Sequence, residues 1–336
     1  MRNRENRKNT VLSGRRKAKV VPGSLAYKGI SDMMMPLLIM LLLCFACVRQ
    51  EDLQEKDIYF KVKINLSFPD LSSRALQTED TDRAYEDNAV LRLPDRYTGS
   101  GAPVRLVYCA HGAGGGVSDS SWYLNRSSLI DTLLANGYAC FDVNGGKNLE
   151  NMGGSRVVQS AYKAYEHIRE NYNVYDEIFV VGLSMGGLSS TNFVYRHGNM
   201  VLAHGMFSPV LSIKEQAWDH PWFASTRKSI AEAYHFDDRT GNTWEGDQVT
   251  GWDPLYTNTF QSNGDTFKIY QVPVKIWHGS GDQTTAVGCS RKFCRFITNA
   301  GGYCELRELD SDNHGLSMGS PFMNKELVLF FKRFGN

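Results

Sequence analysis

From Val104 onward the chain repeats one pattern: a short run of β-branched and apolar residues, a loop, then an amphipathic stretch of helical period. Val104–Ala110, Tyr138–Val143, Asp176–Val181, Val201–Phe207, Val274–Trp277 and Tyr303–Leu309 read as strands, most of them apolar throughout rather than alternating. Trp122–Asn136, Arg156–Tyr172, Leu188–Arg196, Thr285–Asn299 and Phe322–Arg333 read as helices, with Gly137 and Gly301-Gly302 as stops. Parallel strands need a crossover connection, and helices laid over both faces bury such strands on two sides. The alternation predicts an α/β fold: a mostly parallel sheet with helices on both faces.

Ahead of it the period is different. Ile58 to Phe68 alternates apolar and polar residues as a half-exposed strand does, and Ala89–Pro94 reads as a second strand stopped by its proline. Leu71 to Asp87 is polar and reads as irregular, so the sheet is expected to start with an antiparallel pair. Residues 208–272 break the alternation. They hold Trp218, Trp222, Trp244 and Trp252 and the turn signals Asp219-His220-Pro221 and Asp253-Pro254. A structureless loop of that length does not suit a compact domain. The segment reads as a lid-like insertion whose aromatic residues either pack the insertion itself or line a cleft. No repeat or linker divides the chain after residue 57, which predicts one domain over 57–336.

The charge is uneven. The net charge of +1 combines nine Lys/Arg against two acidic residues in 1–32, a local +7, with −6 over the remainder. A mildly acidic body argues against nucleic-acid binding, which requires clustered positive charge to neutralise phosphates. The basic segment instead precedes Met33 to Cys47, an apolar run with Pro36 inside it, too short to span a bilayer. A basic region, an apolar core and small residues before a break describe a secretory signal. Ala46-Cys47 resembles the end of a bacterial lipobox, with Cys44 where Leu usually stands, and this makes Cys47 the expected lipid anchor. Residues 1–56 are thus expected to be signal, anchor and tether of an exported protein held at a membrane.

Five further cysteines follow: Cys109, Cys140, Cys289, Cys294 and Cys304. None forms a zinc-type spacing. Cys109 and Cys140 sit in apolar strands as small core residues, and Cys294 with Cys304 could bridge a helix to the next strand. No metal or cofactor motif emerges. The run Gly112–Gly116 follows a strand, but it lacks a G-x-G-x-x-G ending, a suitably placed ribose-binding acid and a P-loop lysine.

The residues with chemistry stand where the strands end. Gly182-Leu183-Ser184-Met185-Gly186 is a G-x-S-x-G run between a strand and a helix, the context in which a tight turn exposes a serine hydroxyl. His111-Gly112-Ala113-Gly114 follows the strand at 104, His278-Gly279-Ser280-Gly281-Asp282 the strand at 274, and Asn313-His314-Gly315 the strand at 303. Acyl transfer by serine needs a base, an acid that orients the base, and donors for an oxyanion. The carboxyl ends of parallel strands are where such groups gather.

On these four motifs residues 57–336 resemble the α/β-hydrolases. The G-x-S-M-G-G form with HG-x-x-D is most similar to secreted esterases and prolyl-oligopeptidase-type hydrolases. The resemblance implies Ser184 as nucleophile, Asp282 as orienting acid and His314 as base. It places the oxyanion donors at the backbone N–H of Met185 and of Ala113, with Gly112 and Gly114 as alternates. Asp310 and Asp312 are rivals of Asp282 but stand too near His314 in the chain, and His111 and His278 fall to structural roles. The implied function is a serine hydrolase of carboxylic esters working through an acyl-enzyme, with acetyl or feruloyl groups on polysaccharides as the expected substrate. A serine peptidase of the prolyl-oligopeptidase type and a non-catalytic glycan- or partner-binding lipoprotein are the alternatives.

Overall fold

Strands of unbroken apolar residues have to lie inside a sheet, and the computed structural model puts them there. It describes residues 57–65, 84–117, 127–145, 151–216, 230, 233, 252–255, 271–314 and 320–335. The expected signal and tether with Cys47, and most of the insertion including Trp218, Trp222 and Trp244, lie outside these residues.

Eight strands form one sheet: β1 (Asp57–Asn65), β2 (Ala84–Arg92), β3 (Val104–Ala110), β4 (Tyr138–Val143), β5 (Val174–Leu183), β6 (Val201–Phe207), β7 (Val274–Gly279) and β8 (Cys304–Leu309). Their order across the sheet is β1-β2-β4-β3-β5-β6-β7-β8. β2 pairs antiparallel with both β1 and β4, and every other pairing is parallel. The expected antiparallel start to a mostly parallel sheet is therefore present. Its boundaries differ from expectation. β1 ends at Asn65, and β2 begins at Ala84, inside the stretch whose polarity predicted an irregular segment. β2 stays extended because its full length pairs with β1 from Asp57↔Arg92 to Asn65↔Ala84. Its polar Asp87 is buried and accepts the Gly145 N–H at 2.7 Å, so polarity there marks a partner rather than a loop.

Among the described residues, five helices cover the sheet: α1 (Ser128–Ala135), α2 (Ser155–Asn171), α3 (Gly186–His197), α4 (Val287–Asn299) and α5 (Pro321–Phe334). The first starts at Ser128, with extended backbone angles at its N-cap Ser127, and the expected helical stretch from Trp122 to Arg126 lies outside the described residues. Val157, Val158, Ala161 and Ala164 of α2, Phe193 of α3 and Phe293 of α4 pack with Leu106, Tyr108 and Phe141 in one buried cluster. Leu129, Ile130 and Leu133 of α1 and Leu327, Val328 and Phe331 of α5 pack with Val107, Val181 and Trp277 in another. The two clusters use alternate residues of the same strands, as a sheet buried on both faces must.

The disulfide left open by the sequence is formed: Cys294 of α4 is bonded to Cys304 of β8. Cys109, Cys140 and Cys289 are free and buried. A third, smaller apolar cluster gathers Met152, Met185, Leu188, Val210, Ile213 and Ile230, with Trp252 against it. The described parts of the insertion meet here. Buried Asp253 accepts from the Lys214 N–H at 2.9 Å, the Leu255 N–H at 3.0 Å and the Ser212 hydroxyl at 3.2 Å. Burial pushes its carboxyl up to about 6, even though these hydrogen-bond donors favour the charged form.

Candidate active site

Ser184 stands where β5 turns into α3. Its φ of 49° is left-handed, a conformation costly for a residue with a side chain. The turn is held from both sides: Ser184 N–H donates to the Phe207 carbonyl at 3.0 Å, and its own carbonyl accepts from Gly187 and Val210 at 2.8 Å each. Two flanking glycines are required by close approach. A Cβ on Gly182 would meet Ser190 Oγ at 2.1 Å, and one on Gly186 would meet the Ala110 carbonyl oxygen at 2.1 Å. The strand can thus turn directly into the helix with the serine at the apex, leaving its side chain only half-buried.

Two loops converge on it. His314, in the loop after β8, places Nε2 2.9 Å from Ser184 Oγ, and its Nδ1 lies 2.7 Å from Asp282 Oδ2 in the loop after β7. The two loops are joined to each other: Ser280 N–H donates to the Leu309 carbonyl at 2.8 Å and Gly281 N–H to the Ser311 carbonyl at 2.9 Å. Asp282 is bound on every side. Thr284 and Thr285 N–H donate to Oδ1 at 2.8 and 3.1 Å, and the Thr285 hydroxyl lies 3.0 Å from Oδ2. Burial alone would raise its carboxyl. The hydrogen bonds from His278, His314 and Thr285 outweigh it and hold Asp282 well below the usual carboxylate range. Ser184, His314 and Asp282 therefore form a continuous line from hydroxyl to imidazole to ionised carboxylate. Asp310 and Asp312 are exposed.

The loop after β3 lies against the serine: a Cβ on Gly112 would come within 3.4 Å of Ser184 Cβ. Ala113 and Gly114 are exposed there, while Met185 is buried at the head of α3. Among the described residues no acceptor takes the N–H of Met185 or of Ala113. The same is true of Gly112 and Gly114, so none of the four amides bordering the serine is taken up among the described residues.

Both structural histidines have partners. His278 Nδ1 lies 2.8 Å from Ser290 Oγ and its Nε2 3.1 Å from the Thr285 carbonyl, an acceptor, so the ring proton is on Nε2. His111 Nδ1 lies 2.8 Å from Asp142 Oδ2, with both side chains 1% exposed. Asp142 is thus an acidic residue near the end of the strand after the glycine loop, which the sequence reading passed over. It is committed to His111 rather than facing a ligand. Burial raises its carboxyl, and His111 opposes that rise. Sequence reasoning missed Asp142, Thr285 and Ser290. Only Thr285 had a local signal, standing three residues after Asp282. Backbone strain, invisible in a sequence, also marks the place. Among the described residues Met152, Ser184 and Ser208 alone combine a side chain with positive φ, and each follows the carboxyl end of a strand or packs beside Met185.

A family model described as "Putative esterase" matches residues 163–299, a stretch holding Ser184 and Asp282 but not His314. No protein of curated function matches the chain in sequence. Among solved structures, the chain is similar to an acylaminoacyl peptidase in complex with Z-Gly-Gly-Phe-chloromethyl ketone, at a TM-score of 0.60 and 16% identity over 83% of this chain and 42% of that one. An acylaminoacyl peptidase of Pyrococcus horikoshii superposes at 0.61 with 17% identity, over 86% of this chain and 43% of the other. An esterase of Pyrococcus furiosus superposes at 0.54 with 14% identity, over 83% and 92%. The chain spans about two fifths of the length of the peptidases and matches nearly all of that esterase. These likenesses establish that the chain has the α/β-hydrolase fold.

Proposed function

We propose that this α/β-hydrolase-fold chain is a serine hydrolase that cleaves carboxylic esters through an acyl-enzyme. The observation that carries the reading is the line Ser184 Oγ, His314 Nε2, His314 Nδ1, Asp282 Oδ2, at 2.9 and 2.7 Å. As the substrate carbonyl is attacked, the Ser184 proton passes to His314 Nε2 and the Oγ–C bond forms. Asp282 accepts the Nδ1 proton in a hydrogen bond, which fixes the tautomer and stabilises the imidazolium. Backbone N–H groups of Met185 and Ala113 receive the oxyanion. His314 then protonates the leaving alkoxide, and water repeats the sequence in reverse to free the acid.

The ester reading is supported by the family model and by the esterase of similar length. A second reading, cleavage of an acylated peptide, is favoured by the two acylaminoacyl peptidases. Part of the proposal rests on the sequence alone: export, anchoring at Cys47, and acetylated or feruloylated polysaccharide as substrate. The test is a panel of p-nitrophenyl acetate, methyl ferulate, acetylated xylan and an N-acetylated amino-acid anilide, run on the wild type and Ser184→Ala. Turnover of the esters, lost in the variant, is expected. Turnover of the anilide alone would transfer the assignment to the peptidase reading, and turnover undiminished in the variant would refute both.

A further inference from the structure

The loop that borders Ser184 is held by polar groups that the chemistry above does not use. At its far end the Val117 N–H donates to Asn144 Oδ1 at 2.5 Å. At its start is His111, bound to Asp142. Between the two, buried Asn151 reaches both: its Nδ2 lies 3.3 Å from the Asn144 carbonyl and 3.5 Å from His111 Nε2. Its Oδ1 accepts the Ser189 hydroxyl at 2.7 Å and the Gly153 N–H at 3.1 Å. The Gly153 N–H can only donate, so the amide cannot be turned over, and Nδ2 is the group that faces the imidazole. His111 Nε2 is then an acceptor, and the ring proton lies on Nδ1, toward Asp142.

Ser189 belongs to α3, one turn beyond the nucleophile. The adjoining Met152 keeps a φ of 46° while packing in one buried cluster with Met185 and Leu188. That strained residue is bracketed by the Asn151–Gly153 bond and by Asn192 Nδ2, which donates to the Gly153 carbonyl at 3.0 Å.

We infer that Asn151 is a positioning residue that locks the loop carrying one oxyanion donor to α3, at whose head stand the other donor and the nucleophile. This rests on the serine-hydrolase reading and assigns a role to a side chain outside the Ser184–His314–Asp282 line. Donors held in register before substrate arrives stabilise the transition state more than the bound substrate, so the loss falls on kcat.

The experiment uses Asn151→Asp, which keeps the acceptor for Ser189 and Gly153 but sets a carboxylate oxygen against the Asn144 carbonyl. Ser189→Ala cuts the other half of the link with a smaller change. Both are assayed on p-nitrophenyl acetate, with urea unfolding to establish that each is folded and 15N spectra of the imidazoles. The expected results are a fall in kcat of about 10–100-fold for Asn151→Asp and a smaller fall for Ser189→Ala, with KM within about twofold. Wild-type His111 should carry its proton on Nδ1, and Asn151→Asp should move a proton onto Nε2. Unchanged kcat in both folded variants, a rise in KM alone, or a wild-type His111 protonated on Nε2 would overturn the inference. Should the wild type turn over neither ester nor amide while His111 has the expected tautomer, the hydrolase reading fails and the link between loop and helix stands.

Discussion

Replacing Gly186 with Ala converts a packing contact into a catalytic one. The new Cβ would stand 2.1 Å from the Ala110 carbonyl oxygen, 2.6 Å from that of His111 and 2.7 Å from the Ala110 carbonyl carbon. All three are backbone atoms of β3 and the loop it opens, so no side chain can swing aside. Restoring ordinary contact requires the head of α3 to move by about 1 Å. Ser184 is two residues upstream on the same turn. A shift of that size would carry Oγ, now 2.9 Å from His314 Nε2, out of hydrogen-bond range. A misplacement of about 1 Å costs on the order of 100-fold, or about 2.7 kcal/mol of barrier. Overpacking costs a further 1–3 kcal/mol or so of stability. The assay is kcat/KM on p-nitrophenyl acetate beside a urea titration, with Gly288→Ala as control, since nothing lies within 4 Å of a Cβ there. The control should keep full activity and gain up to about 1 kcal/mol of stability from helix propensity. A folded Gly186→Ala enzyme within about threefold of wild type would refute the claim that this contact sets the nucleophile.

Four other outcomes follow from the structure. Asp282→Asn should lower kcat by on the order of 10⁴, because the amide cannot satisfy the Thr284 and Thr285 N–H groups and also accept from His314 Nδ1. The folded pKa of Asp282 is depressed, so its contribution to stability is present above the unfolded value of about 4 and lost as pH falls through the folded one; urea midpoints of wild type and this variant should therefore diverge as pH rises from about 2 to 5. Asp253 has the opposite sign: with a carboxyl raised to about 6, wild-type stability should fall by up to about 3 kcal/mol relative to Asp253→Asn between pH 4 and 6.5 or so, read from unfolding titrations. Reducing Cys294–Cys304, which closes a separation of 10 residues, should cost about 2–3 kcal/mol of stability, measured by denaturation with and without dithiothreitol.

How much of this was legible depends on how local each determinant is. The inner strands from Val104 onward announced themselves because burial on both faces leaves most of their residues apolar, and the motifs at their ends followed in order. β2 was half missed, since its first residues are polar and its extended form comes from pairing with β1, 35 residues earlier at Asp57↔Arg92. The start of α1 at Ser128 was not legible because it is set by the extended backbone angles of Ser127, which composition does not encode. Ser184, Asp282 and His314 could be picked out singly from the residues around each, whereas their meeting depends on three crossovers. Partners such as Asp142 for His111, or Asn151 for Ser189, lie 31 and 38 residues away and have no local signature.

The measurement that bears most directly on the account is a rapid-mixing burst with p-nitrophenyl acetate, followed by acid quench and peptide mass analysis. An acyl-enzyme on Ser184 predicts release of about one equivalent of p-nitrophenol before the steady state, with a single acetyl group on the peptide containing Ser184. The burst and the adduct should both vanish in Ser184→Ala. Ester turnover with the acetyl group on another residue, or a burst that survives the substitution, would contradict it.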